Sequence, residues 1–270
     1  MEFDAALLAL PVKMVLVAAI VVSGSLAAQK AGPFVGGLIA TLPISAGPAY
    51  VVLAMDHGPA FIAESAVGSV SINAVTVIFA MTYAVLARRG AGGLGSIAGA
   101  IGVWLLAALA IRTMTPPLWF GLLVNAAALA VGVPLARRFS RVVIPASDGP
   151  RPVDLMLRAL AVATLVGVLS VVSWHIGAVA SGILALFPIV ISSILVVTHR
   201  AIGGPAAGAV AASSVYGLAG FAAALTAVHL AAVPLGSTAA LLIGLAICVA
   251  WNGMLFTLRL RRLRRVAAAA

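Results

Sequence analysis

Residues 180–193 read A-S-G-I-L-A-L-F-P-I-V-I-S-S, and residues 35–48 read V-G-G-L-I-A-T-L-P-I-S-A-G-P. Each sets a proline, Pro188 and Pro43, inside a long apolar stretch. Proline removes a backbone N–H and clashes with the preceding turn, at a cost of about 3 kcal/mol in a helix interior. Two similar stretches that both accept this cost point to a duplicated element. A shift of 145 positions lays Pro43 on Pro188, Gly32 on Gly177, Gly37 on Gly182, Ala40 on Ala185 and Val51–Val52 on Val196–Val197. It also lays Lys13 on Arg158, and after a one-residue slip Gly58–Pro59–Ala60 falls on Gly204–Pro205–Ala206.

The repeat is embedded in a chain that is 64% hydrophobic and only 8% charged over 270 residues. Ordinary soluble domains use roughly 45–50% apolar residues, so composition excludes a soluble protein and implies an integral membrane one. A bilayer core of about 30 Å takes about 20 apolar residues per helix. Turn formers and charges then divide the chain into nine expected spans, roughly 11–29, 33–55, 59–87, 91–111, 117–136, 154–173, 176–198, 204–230 and 233–257. The N-terminal segment M-E-F-D is acidic where a secretory leader is basic, and the first span has a repeat counterpart, so it reads as a span and not a cleaved signal.

Charge placement orients this arrangement. With the N-terminus outside, one side collects Lys30, Arg88, Arg89, Arg137, Arg138, Arg141, Arg151, Arg158, Arg200 and the five arginines of 259–265. Only Lys13 and Arg112 of the 16 basic residues fall on the other side, as the positive-inside rule demands. The expected location is therefore the bacterial inner membrane with the C-terminus cytoplasmic. Orientation also accounts for the net charge of +10 and for the tail R-L-R-R-L-R-R, which lies against anionic lipid; no base-reading element accompanies it, so no nucleic acid is expected. The glycines of 90–96 follow a pair of arginines and no strand, which argues for a packed helix face with Gly99 and Gly102 and against a phosphate loop.

Because one linking span, 117–136, separates two four-span units, the second unit enters from the opposite side. The expected fold is an all-α integral membrane protein of about nine helices, built from two four-helix inverted repeats joined by one helix. Its divisions are residues 1–112 for the first repeat, 113–152 for the linking helix and cytoplasmic loop, 153–258 for the second repeat and 259–270 for the basic tail. Pro43 and Pro188 then lie near mid-membrane, flanked by Thr41, Ser45, Ser192 and Ser193. Two readings stand: kinks that serve packing, or interrupted helices meeting at a transporter's midplane site.

The segment G-I-L-A-L-F-P-I-V-I-S-S-I-L-V-V-T-H, with one apolar helix before it and two after, resembles the GlpM-type family of small bacterial membrane proteins, whose four helices carry a similar G-L-x-x-L-F-P segment. The first unit has Thr41-Leu42-Pro43 in place of Leu-Phe-Pro. The resemblance implies two such units fused, and it implies no substrate.

Polar residues within spans are functional candidates because a central charge costs about 2.5–3.5 kcal/mol to insert. Glu64 is the acid expected within a span, sharing a helix face with Gly68 and Ser71, while Ser69, Asn73 and Thr76 form a second strip. It either faces a cavity as a proton carrier or reaches the outer headgroups from a span of about 42 Å. Tyr216, with Ser213, Gly217 and Gly220, makes a further polar face, and Asn125 and Asn252 suit interhelical hydrogen bonds. The four histidines show no metal-ligand spacing on one helix, no cofactor or metal is expected, and no nucleophile with a base can be assembled, which argues against an enzyme. The expected substrate-binding set is Thr41, Pro43, Ser45, Glu64, Ser71, Asn73, Pro188, Ser192, Ser193 and Tyr216. Three functions remain open: a secondary transporter of a small solute, with proton coupling through Glu64; a lipid or polyprenyl-phosphate translocator; and a non-catalytic scaffold of an envelope assembly. Membrane lipids are the common partner, and the oligomeric state stays open.

Overall fold

The computed structural model describes residues 9–30, 46–114, 117–139 and 151–268, with the backbone alone for 24–30 and 262–268. Among the described residues every regular element is a helix. In chain order they are α1 (Leu10–Lys30), α2 (Ala46–Asp56), α3 (Pro59–Arg88), α4 (Gly93–Met114) and α5 (Leu118–Phe139). There follow α6 (Pro152–Ile176), α7 (Ala178–Ala185), α8 (Ile189–Ile202), α9 (Gly204–Leu235) and α10 (Ser237–Ala268). Among the described residues seven segments are long and apolar enough to cross a membrane when Ala178–Ile202 counts as one. The chain is an all-α, multi-pass membrane protein, as expected where lipid offers no partner for backbone groups outside helices.

Glycine makes the tight links. Gly177, Gly203 and Gly236 each stand alone between consecutive helices, with φ of 78°, 88° and 83° and ψ between 158° and 171°. That region is essentially closed to residues with a Cβ. Proline opens α3, α6 and α9 in their first turns, where its missing N–H leaves no intrahelical bond unmade.

The helix at the centre is α3, and its most extensive partner is α9. The two run antiparallel along nearly their whole length. A Cβ on Gly204 would lie 2.7 Å from the Ala87 carbonyl oxygen and one on Gly208 3.3 Å from that of Ala84. At mid-length Asn73 donates to the Leu218 carbonyl at 3.1 Å, and at the far end His229 Nδ1 donates to the Ala63 carbonyl at 2.8 Å. In lipid, helices associate through close packing and hydrogen bonds rather than hydrophobic burial, so small residues and interhelical bonds mark this contact. Helix α5 lies across both, its Gly121 against Ser71 and its Gly132 against Val77 and Val215. The helix α1 packs antiparallel on α6, with Met14 against Gly167.

The expected repeat positions Gly32, Gly37, Ala40, Thr41, Pro43 and Ser45 lie outside the described residues, as does the upstream half of the second span. Its downstream half is α2.

Candidate functional site

The seventh expected span is broken where its proline falls. Helix α7 ends at Ala185, and the Leu186 and Phe187 N–H groups close the last turn on the Ile183 and Leu184 carbonyls at 3.2 and 3.0 Å. Pro188, at φ −79° and ψ 51°, then caps α8, whose first regular turn is closed by the Ser192 N–H on the Pro188 carbonyl at 3.1 Å. The break sits near the middle of α3, because Trp104 of α4 touches both, edge-on to Phe187 at 5.3 Å between ring centroids and 3.4 Å from the Thr76 hydroxyl.

Above the break, α7 meets α3 backbone to backbone. A Cβ on Gly182 would lie 1.8 Å from the Ser65 carbonyl oxygen, and one on Gly68 2.2 Å from that of Val179. Only glycine fits at either position. Ser69 uses this approach to donate its hydroxyl to the Gly182 carbonyl at 2.7 Å. With its single proton so committed, Ser69 accepts from the Tyr50 hydroxyl at 2.7 Å. One buried chain of hydroxyls thus ties α2 to α3 and α3 to α7.

Below the break, Ser193 of α8 accepts a 3.3 Å bond from Nε of Arg158, a residue of α6 that is only 7% exposed. The neighbouring Ser192 hydroxyl is buried without a hydrogen-bond partner among the described residues. Tyr83 of α3 reaches the same helix, donating to the Leu195 carbonyl at 3.2 Å or to His199 Nδ1 at 2.9 Å.

A third cluster lies at the other membrane end. The Lys13 ammonium and the Asp56 carboxylate form an ion pair whose side chains are each 2% exposed. Ser170 of α6 donates to Asp56 and accepts from Lys13 at 3.3 Å, so α1, α2 and α6 meet on one buried charge pair. Next to it His57 bonds the Ser173 hydroxyl at 2.8 Å and stacks on Phe61 at 3.8 Å, with Trp174 tilted at 4.4 Å. Burial pulls the His57 imidazole below its ordinary value near 6.5; the Asp56 carboxylate opposes this and the Lys13 charge adds to it.

The sequence-expected residues distribute as follows. Pro188, Ser192 and Ser193 stand together at the break. Ser71 and Asn73 are buried in packing positions: Ser71 faces Gly121, and Asn73 donates to the Asn125 side chain at 2.8 Å and to Leu218, joining α3, α5 and α9. Glu64 lies on the exposed side of α3, although Ser65 and Gly68 beside it are buried. Tyr216 is half-buried and its carbonyl accepts from the Trp251 indole at 2.9 Å. Thr41, Pro43 and Ser45 lie outside the described residues. Sequence reasoning missed Tyr50, Asp56 and Arg158 as site members. Asp56 had a signal: Lys13 is one of two basic residues on the sparse side, and a buried cation needs a carboxylate at the same depth. Among the described residues no group of three His, Cys, Asp or Glu side chains could hold a metal ion. No protein family, curated protein or solved structure matches the chain.

Proposed function

We propose that the chain is a secondary transporter of a small solute in the bacterial inner membrane. In this reading it is built from two inverted GlpM-like repeats in nine spans, with the N-terminus outside. The substrate site lies where the second and seventh spans cross beside α3. The observation that carries the reading is the interruption of the seventh span at Leu186–Pro188, mid-way along α3, with the Tyr50–Ser69–Gly182 chain holding the second and seventh spans to the same helix. Transporters of inverted-repeat design place broken helices at such a midplane site.

Contact geometry supports the inverted relation. Beyond the one-residue slip at Gly58 the shift lays Asn73 on Ala219, next to the Leu218 that it touches. It lays Ala63 on Ala209 and Ala84 on Leu230, so the Ala63–His229 contact and the Ala84–Gly208 contact are images of each other to within one residue. Such pairs arise where a two-fold axis passes between the midpoints of two helices. Gly99 and Gly244, images to within one residue, each pack on the helix before their own, against Leu86 and Val228. In this reading the buried Lys13–Asp56 pair closes the outer end.

Alternating access is testable through residue 192. In a Cys248→Ser background, Ser192→Cys is expected to react with a membrane-impermeant thiol reagent from one side only. Adding Asp56→Asn is expected to open it to the other side. A Ser192→Cys variant inert from both sides, with Asp56 intact or replaced, would overturn the transporter reading. Pro188→Ala separates the break from a packing kink: it should leave stability level or raised while abolishing the change in access, since proline strain is here kept for function.

A further inference from the structure

Helices α3 and α5 leave between them a lateral groove of about 500 Å³, lined by Val77, Met81, Val85 and Leu86 on one side and Val131 and Leu135 on the other. Among the described residues Thr82 brings the only hydroxyl to its wall. Its floor is the close approach of Gly132 to Val77, and its lips are open, since Ile78 is 44% and Val131 69% exposed. From Val77 to Leu86 the groove follows ten residues of helix, about 13–14 Å from first to last at 1.5 Å per step. One leaflet of a hydrocarbon core about 30 Å thick is about 15 Å deep.

At the end marked by Leu86 and Leu135 both helices finish in arginine: Arg88 and Arg89, then Arg137 and Arg138, all four exposed. Arg88 holds the two ends together, its guanidinium 4.8 Å above the Phe139 ring and donating to the Arg138 carbonyl at 3.4 Å. No Asp or Glu occurs in the sequence between Glu64 and Asp148, so neither helix supplies a carboxylate at this end. Orientation signalling explains arginines at a helix end, but it does not explain an apolar groove one leaflet deep that terminates among them. Basic pockets between membrane helices are suited to anionic headgroups, and guanidinium groups match phosphate oxygens in paired hydrogen bonds.

We propose that this groove is a binding site for an anionic phospholipid of the leaflet at the arginine end. One acyl chain lies along Val77–Leu86 and Val131–Leu135, and the phosphate sits among Arg88, Arg89, Arg137 and Arg138. With one hydroxyl in its wall the groove offers no polar route for a headgroup to cross, so the lipid is resident and is not cargo.

The test uses the full chain in mild detergent, with phosphatidylglycerol and phosphatidylcholine of identical acyl chains as probes. Phosphatidylglycerol is expected to raise the melting temperature by several degrees and to remain bound in native mass spectra, with phosphatidylcholine doing neither. The selective shift should vanish in Ala128→Phe, which fills the groove with the arginines intact, and in the quadruple Arg→Gln variant at 88, 89, 137 and 138. Equal stabilisation by the two lipids, an undiminished shift in Ala128→Phe, or the same shift from inorganic phosphate alone would overturn the proposal. Should the quadruple variant fail to accumulate, Ala128→Phe decides alone.

Discussion

The 145-residue shift lays Lys13 on Arg158, and the protein treats the two cations differently. Both are cations near the start of a helix and both are buried, at 2% and 7% exposure. Lys13 is neutralised by Asp56 and shares Ser170 with it. Arg158 has a hydroxyl, Ser193, at 3.3 Å, and its nearest acid, Asp154, belongs to the first turn of its own helix and bonds the Arg151 backbone N–H. The same shift lays Asp56 on Ala201, or on Ile202 with the one-residue slip, and neither carries charge. Both cations are buried, and one of them faces a carboxylate from another helix. The Lys13 end is fastened by charge and the Arg158 end by a hydroxyl, so separating helices at the Arg158 end costs less.

The largest expected effect tests the fastened end. Asp56→Asn or Lys13→Met alone removes one member of a buried ion pair and should lose about 3–5 kcal/mol of stability. The double variant Lys13→Met with Asp56→Leu should recover most of it in denaturant unfolding. A double variant as unstable as the two losses combined would show that the pair is not a coupled unit.

A smaller effect is expected where α7 meets α3. Gly182→Ala forces a methyl group into the Ser65 carbonyl and should cost about 1–3 kcal/mol, the ordinary range for overpacking. Gly244→Ala meets the tip of Val228 instead, at 2.8 Å, and should cost less because a side chain yields where backbone does not. Melting temperatures of the two variants give the comparison directly, and equal losses would deny that the α3–α7 approach is the tighter. At the Arg158 end, Arg158→Met removes a buried cation that makes no ion pair with another helix among the described residues, so stability should move by less than about 1 kcal/mol in either direction. A loss as large as that of Lys13→Met would erase the contrast between the ends.

The smallest effect is a pH slope. Burial holds the His57 imidazole neutral in the fold, with its folded value below the unfolded one near 6.5. Above that pH both states are neutral and His57 adds no slope. As pH falls below about 6.5 the unfolded chain takes the proton first, so stability declines until the folded value is passed. His57→Phe should flatten the decline of the melting temperature below about pH 6.5, with its charged neighbours Asp56 and Lys13 left in place. An unchanged profile would mean that His57 is not the titrating group.

Much of the helical layout was legible because apolar runs punctuated by Gly and Pro leave few alternatives. Pro59 and Pro152 start α3 and α6, and single glycines at 177, 203 and 236 end their predecessors. The break at Pro188 was legible from the removed N–H and from its repeated context. The polar contacts were not. Asn73 looked like a lining residue on a polar strip, but that strip is consumed by Asn125 and Leu218, whose proximity depends on how α5 crosses α3 and α9. Glu64 drew attention as an acid within a span, yet a residue five positions into α3 points by the helix phase, and the phase turns it outward. Asp56 stands at the end of its helix, in front of a His-Gly-Pro turn, and reads as an exposed loop carboxylate until α1 and α6 close over it.

The glycine contact between α7 and α3 has a mechanical consequence. Two backbones in contact with no side chain between them cannot slide without collision, so α7 is a fixed stub riveted to the central helix at Gly68 and Gly182. Motion within this span must therefore be taken up at Leu186–Pro188, and α8 becomes a lever arm. Its 14 residues make an arm of about 21 Å, so a swing of roughly 10° about that pivot carries the Ile202 end through about 4 Å and His199, about 16 Å along the arm, through about 3 Å. That travel matches the length of the Tyr83–His199 hydrogen bond, 2.9 Å, so such a swing breaks this bond.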